Sequence, residues 1–269
     1  MNELLMLAAP GIPLLIAVFA GLPRARWLPV IAVVPALAAA WVVPQGGAVE
    51  LPWLLLGGQL QIEQTVRCFL LPSELICLSA ALFMLRWVIG RARQALFRVF
   101  FLIAMGGNML LILAADMTTL YVGFALMGLA AYPLCLQRSQ RARFAARVYL
   151  AFTITGDLAL FASMLLLFAG TGSMLVSDLA HAPAPALAIA LLLFGFGIKL
   201  ALPGLHPWLP MVYSTSPIIT AAVLSGPMMK AGIIGWLRFI PAGQEGLASW
   251  GELLLVLGAI GITLGVTIG

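Results

Sequence analysis

Lys199 and Lys230 are the only lysines of the chain, and both fall inside apolar runs long enough to cross a membrane. A charged side chain in hydrocarbon costs about 2.5 kcal/mol or more, so it persists where it faces a protein interior, a water-filled path or a counter-charge. Asp157 lies in another apolar run, about 13 Å from its end, and Lys199 lies about 9 Å from the same side of the membrane. Burial disfavours the charge on each group, and an opposite charge beside it restores that charge. A lysine and a carboxyl balanced between these effects can bind and release a proton, so Asp157 and Lys199 are read as a pair. For Asp157 the alternative is a neutral carboxyl bonded to a hydroxyl such as that of Thr153; for Lys199 it is a stem snorkelling to the headgroups. His206 has the side chain of a proton carrier near neutral pH, or else it satisfies backbone freed by a local break. Lys230 is set deep in its run, about 20 Å from either end of entry, beside Gly226, Gly232 and Gly235, which mark close helix packing.

Such groups need a scaffold that opens the helix between them. The segment joining the two lysines carries Pro203, Gly204, His206, Pro207, Pro210, Ser214, Thr215, Ser216 and Pro217. Each proline removes a backbone donor and clashes with the preceding turn, so one straight helix is excluded. Non-helical backbone at membrane depth is tolerated only where protein or cavity water satisfies it, and interrupted spans point to transport sites.

The remaining elements follow from composition. With 63% hydrophobic and 9% charged residues, the 269-residue chain is expected to be an all-α, polytopic membrane helix bundle with no soluble domain. About nine spans can be drawn, near 4–21, 27–43, 68–90, 99–115, 118–136, 148–170, 186–205 (the seventh, discontinuous), 217–237 and 251–269. Arg24, Arg26, Arg91, Arg93, Arg98, Arg138, Arg141, Arg143 and Arg147 all fall on one side, against Arg67, Arg238, Glu50, Glu63, Asp178 and Glu245 on the other. The positive-inside rule then places the N-terminus outside and those arginines in the cytoplasm, as for a bacterial-type inner membrane protein. The net charge of +5 is therefore read as topology rather than as a nucleic-acid surface. Cys68, Cys77 and Cys135 form no pair with metal or disulfide spacing.

The connection 44–67 is either an ordinary polar loop or a short hairpin turning at Gly57 and Gly58. Glu74 and Asp116 are placed near the outer surface, where hydration would satisfy them. In the last span, Gly258, Gly261, Gly265 and Gly269 form one smooth face that should press against another helix.

From residue 99 to 269 the chain resembles the antiporter-like proton-translocating subunits of respiratory complex I, and their relatives in membrane-bound hydrogenases and multisubunit cation/proton antiporters. The resemblance rests on Gly197-x-Lys199, His206-x-Trp208-Leu209-Pro210, Ser225-Gly226 through Lys230-x-Gly232, and Trp236-Leu237-Arg238-Phe239. The stretch Leu120 to Tyr132 is similar to the family's fifth helix, and Gly156-Asp157 falls where relatives carry glycine and an acid. The resemblance implies that Lys199 belongs to a proton path, that the seventh helix is broken and that Lys230 continues a polar axis. It also implies peripheral helices over 1–98, a first five-helix repeat over 99–238, and the start of a second repeat at 251–269. Departures are Ala125 in place of the family's fifth-helix glutamate, Gly204-Leu205 before the histidine, Pro217-Ile218-Ile219 after the loop, and the missing second inverted repeat.

The expected function is proton translocation through Asp157, Lys199, His206 and Lys230, as a subunit among other membrane subunits, with a partner chain supplying the second repeat or with that repeat cut away. No Gly-rich dinucleotide fingerprint or cysteine cluster is present, so no cofactor is expected and the chain is not an enzyme by itself. Two alternatives stand beside this reading: a non-conducting scaffold half-subunit, and the membrane partner of a proton-coupled uptake system, for example for inorganic carbon.

Overall fold

In the computed structural model, residues 1–22, 25–52, 57–86, 91–181, 185–239 and 248–268 are described. The helices are α1 (Asn2–Ala17), α2 (Leu28–Val42), α3 (Gln64–Arg86), α4 (Arg91–Leu113), α5 (Met117–Cys135), α6 (Gln140–Thr171), α7 (Val176–His181), α8 (Ala186–Lys199), α9 (Trp208–Thr215), α10 (Ile218–Val223), α11 (Met229–Phe239) and α12 (Ala248–Ile268). A π-helical turn, Leu224–Met228, joins α10 to α11. Seven helical stretches among the described residues are long and apolar enough to cross a membrane, and α1 and α8 are shorter apolar helices. Each of the nine segments drawn from hydropathy holds an apolar helix, but two are short: α1 stops at Ala17, and α8, in the seventh and discontinuous segment, stops at Lys199. Arg24, Glu245 and Gly269 lie outside the described residues.

Small residues set the helix spacing. A Cβ added to Gly107 would stand 2.6 Å from Met127 N, and one on Gly123 would stand 2.5 Å from Leu111 N, so α4 and α5 touch backbone to backbone. At Gly195 an added Cβ would meet Gly156 O at 2.9 Å, which brings the Asp157 turn of α6 against α8. Gly235 faces the Phe196 ring, at 2.3 Å for an added Cβ, and fixes α11 on the other side of α8. Outward, Trp41, Leu158, Phe161 and Leu165 are exposed, as expected of a surface that meets lipid rather than water.

The connection after α2 is a hairpin. Strands β1 (Gly47–Leu51) and β2 (Gly58–Ile62) pair antiparallel, Gly47 with Ile62 and Leu51 with Gly58, and Gly57 takes a left-handed φ of +86° at the turn. Two strands alone are marginal. Here Val49, Leu51, Leu60 and Ile62 are buried, Ala115 N donates to Gln59 O at 2.8 Å, and Gln59 N donates to Asp116 Oδ2 at 2.6 Å. Asp116 is consequently not the hydrated surface carboxyl expected from its position. It is 2% exposed and caps α5, Oδ1 accepting from Thr119 N at 2.8 Å.

The third span also departs from expectation. Glu74 is 0% exposed, on the buried face of α3 with Ser73 and Cys77, because the elements packed around α3 cover its middle. In contrast α12 stands apart from the bundle, with none of its span buried. A Cβ on Gly258 or Gly265 would meet nothing within 4 Å, and one on Gly261 would meet only Pro203, at 3.5 Å.

Candidate functional site

The chain leaves helix after Lys199 and resumes at Trp208. Leu202 N donates to Gly197 O at 3.0 Å and Leu205 N to Leu202 O at 2.7 Å, while Ala201 takes a positive φ of 52° and Gly204 one of 88°. A non-glycine residue in that region is uncommon, and such backbone outliers cluster at functional sites. Trp208 Nε1 donates to Ile198 O at 2.9 Å, a carbonyl that also accepts from Ala201 N at 3.1 Å, and so ties α9 to the end of α8. Pro207 and Pro217 cap the N-termini of α9 and α10, Pro210 falls in the first turn of α9, and Pro203 lies in the loop. Each proline thus sits where its missing N–H costs nothing.

This interruption places the Lys199 side chain in the protein interior. Lys199 is 2% exposed. Its Nζ donates to Thr153 Oγ1 at 3.4 Å and stands 5.0 Å from the centroid of the Phe124 ring and 5.7 Å from that of Tyr149. Two aromatic faces in this range spread the ammonium charge by cation–π attraction, worth about 0.5–2 kcal/mol each. The Tyr149 ring is held in turn, its hydroxyl donating to Gly128 O at 2.9 Å and its ring in a T-shaped contact with Trp208 at 5.4 Å. Snorkelling is excluded by this packing.

Asp157 lies one turn beyond Thr153 on α6 and is 6% exposed. Among the described residues Oδ1 has no hydrogen-bond partner, and no direct ion pair joins the carboxyl to Lys199. The two groups sit on α6 and α8, which pack against each other. Of the two expected arrangements neither is seen directly: the Thr153 hydroxyl is engaged by the lysine, and the acid stands behind it.

The other candidates lie further off. His206 is half-buried in the loop, where Nδ1 accepts from Gly204 N at 3.3 Å, so it braces the broken backbone. Lys230 is half-buried at the second position of α11, directly after the π-helical turn. Ala125 lines an apolar groove on the outer side of α5 and α6 with Tyr121, Leu129, Phe161 and Leu165. Among the described residues no three His, Cys, Asp or Glu side chains come together as metal ligands would.

Sequence reasoning missed Phe124, Gly128 and Tyr149. A helical signal was available for one pair: Tyr149 and Thr153 are four apart on α6 and so share a face. Arg238 was read as a topological charge and as part of the Trp236 to Phe239 motif, without a structural partner. In the fold it donates to the carbonyls of Ala114, of Ile112 at 2.7 Å and of Leu111 at 3.5 Å, clasping the C-terminus of α4.

A polytopic helix bundle with an ammonium and a carboxyl buried beside a broken helix defines a membrane protein with an ionisable interior. Residues 114–269, more than half the chain, match the family described as "NADH:quinone oxidoreductase/Mrp antiporter, TM", and the chain belongs to that family. NADH-quinone oxidoreductase subunit N of Deinococcus radiodurans is 25% identical over 186 residues, which cover 65% of this chain and 38% of that protein. The subunit N of Desulforudis audaxviator is 30% identical over 182 residues, covering 64% and 36%. In fold, the chain is similar to a subunit of the membrane-bound sulfane sulfur reductase, an archaeal respiratory membrane complex, with a TM-score of 0.80 at 20% identity, over 98% of this chain and 46% of that one. The chain spans less than half the length of each of these proteins.

Proposed function

We propose that this chain carries protons as part of an antiporter-like membrane subunit of a respiratory, hydrogenase-type or cation/proton antiporter complex. The observation that carries the reading is Lys199, 2% exposed at a helix break and held by one hydroxyl and two aromatic faces rather than by a carboxylate. An ammonium so weakly compensated can lose its proton to a neighbour and regain it, which a tightly salt-bridged lysine cannot. Protons enter from the cytoplasmic side near the loop after α8, with the N-terminus of the chain outside. They pass between Asp157 and Lys199, with His206 at the mouth, and leave toward Lys230. Residues 1–98 form peripheral helices, residues 99–238 one five-helix repeat, and α12 opens the next. Its uncovered glycine face, Gly258, Gly261 and Gly265, suits a second repeat or a partner membrane subunit, and the complex sits in a bacterial-type inner membrane.

A second reading has its own observation. Ala125 turns an apolar groove, not an acid, toward the outside of α5, as a non-conducting brace would. The two readings separate in vesicles bearing the native complex. Conduction predicts that Asp157→Asn and Lys230→Ala slow proton uptake while co-purification of the neighbouring subunits is unchanged; a scaffold predicts the wild-type rate in both.

A further inference from the structure

Among the described residues, the carboxyl most completely removed from solvent plays no part in the path above. Glu74 is 0% exposed, and neither of its oxygens has a hydrogen-bond partner among the described residues. Ser73 beside it is equally buried with a free hydroxyl, and on the packed neighbour α4 both polar atoms of the buried Asn108 lack partners. Buried polar groups are almost always bonded, so a carboxyl with both oxygens orphaned needs an explanation.

Counter-charge does not supply it. The elements packed against α3 are chiefly α2, α4, α10 and the π-helical turn. Helices α2 and α10 and the π-helical turn contain no titratable side chain. On α4 the charged residues are Arg91, Arg93 and Arg98, all near its N-terminus. Arg98 donates to Ala20 O and Leu22 O, and Arg93 to Leu136 O and Gln137. On α3 itself Arg67 donates to Val43 O, Arg86 is the last residue, and Cys77 shares the buried face. A carboxylate anion without a cation or donors is the costliest occupant of such a site, whereas the neutral acid needs no counter-charge and brings one donor of its own.

We propose that Glu74 is a second intramembrane proton-binding site, a carboxylic acid that stays protonated at neutral pH and exchanges its proton on α3, outside the matched family domain. Its helix packs against the π-helical turn that precedes Lys230. Ile76, two residues on, packs into Gly226 of the π-helical turn, where an added Cβ would stand 2.5 Å from Ile76 Cδ1, and Lys230 follows two residues after that turn. Single π-helical turns inside α-helices recur at functional sites.

The test is infrared spectroscopy of the wild-type chain in its complex at pH 7. A carbonyl band of a protonated carboxylic acid is expected, shifting when glutamate is carbon-13 labelled and shifting further in heavy water. In Glu74→Gln, an uncharged near-isostere that should assemble normally, the glutamate-sensitive part of that band disappears, whereas in Asp157→Asn it stays. Absence of a glutamate-sensitive acid band in the wild type would overturn the proposal, as would its survival in Glu74→Gln. So would a band that appears only when sodium is withdrawn, since the site would then hold a metal cation. None of these readouts measures flux, so they fail or hold independently of the proton-carrying role of Lys199.

Discussion

Lys199 Nζ lies 2.7 Å from the point where a Cβ on Gly128 would stand, and Thr153 Cγ2 lies 3.0 Å from the same point. The glycine of α5 is therefore the wall of the ammonium's chamber. Gly128→Ala displaces the flexible end of the lysine rather than the backbone, so the fold is kept while the bond to Thr153 is lost. Proton uptake should fall severalfold with subunit assembly intact, as measured in vesicles; unchanged uptake would show that the position of Nζ is unimportant.

Thr153→Val removes the hydroxyl that Lys199 reaches at 3.4 Å and keeps the volume. A hydrogen bond to a charged group is worth about 1.5–3 kcal/mol, and the cost falls on the charged lysine alone. Uptake slower by about tenfold is expected, with restoration in Thr153→Ser.

Arg238→Ala leaves the carbonyls of Leu111, Ile112 and Ala114 unpaired at the end of α4. Helix-end carbonyls and a charged donor together stabilise by about 2–4 kcal/mol. The measurement is thermal unfolding in mild detergent, where a clear drop in Tm is expected, and Arg238→Lys should recover only part of it, since one ammonium cannot serve three diverging carbonyls.

How far the sequence specifies this arrangement differs from residue to residue. The break after Lys199 is legible because its prolines cannot continue a helix, and the lysine's burial follows from that break. Glu74 and Asp116 were misplaced because counting residues from the end of a span measures depth, not which neighbours cover the side chain. Asp116 carried a readable signal as an aspartate immediately before an apolar helical run, that of a helix N-cap. The start of α6 at Gln140 was missed because the arginines that follow are too polar for a hydropathy window, although Ser139 caps Ala142 N at 3.1 Å and helix propensity carries the helix through them. The bond between Thr153 and Lys199 joins residues 46 positions apart, and no local pattern encodes it.

Close helix contact supplies a prediction with its own control. At Gly123 an added Cβ would stand 2.5 Å from Leu111 N and 2.8 Å from Gly107 O, both backbone atoms that cannot swing aside. Gly123→Ala should destabilise by about 1–3 kcal/mol as α4 and α5 are forced apart. Gly265→Ala, with nothing within 4 Å, should leave the isolated chain's Tm essentially unchanged.

The central claim is that protons pass by way of the buried ammonium of Lys199. The most direct measurement is the number of protons translocated per catalytic turnover by the native complex in sealed vesicles, comparing wild type with Lys199→Ala at equal subunit content. A lower ratio in the variant, with turnover of the complex still measurable, is the predicted result. An unchanged ratio would contradict the account.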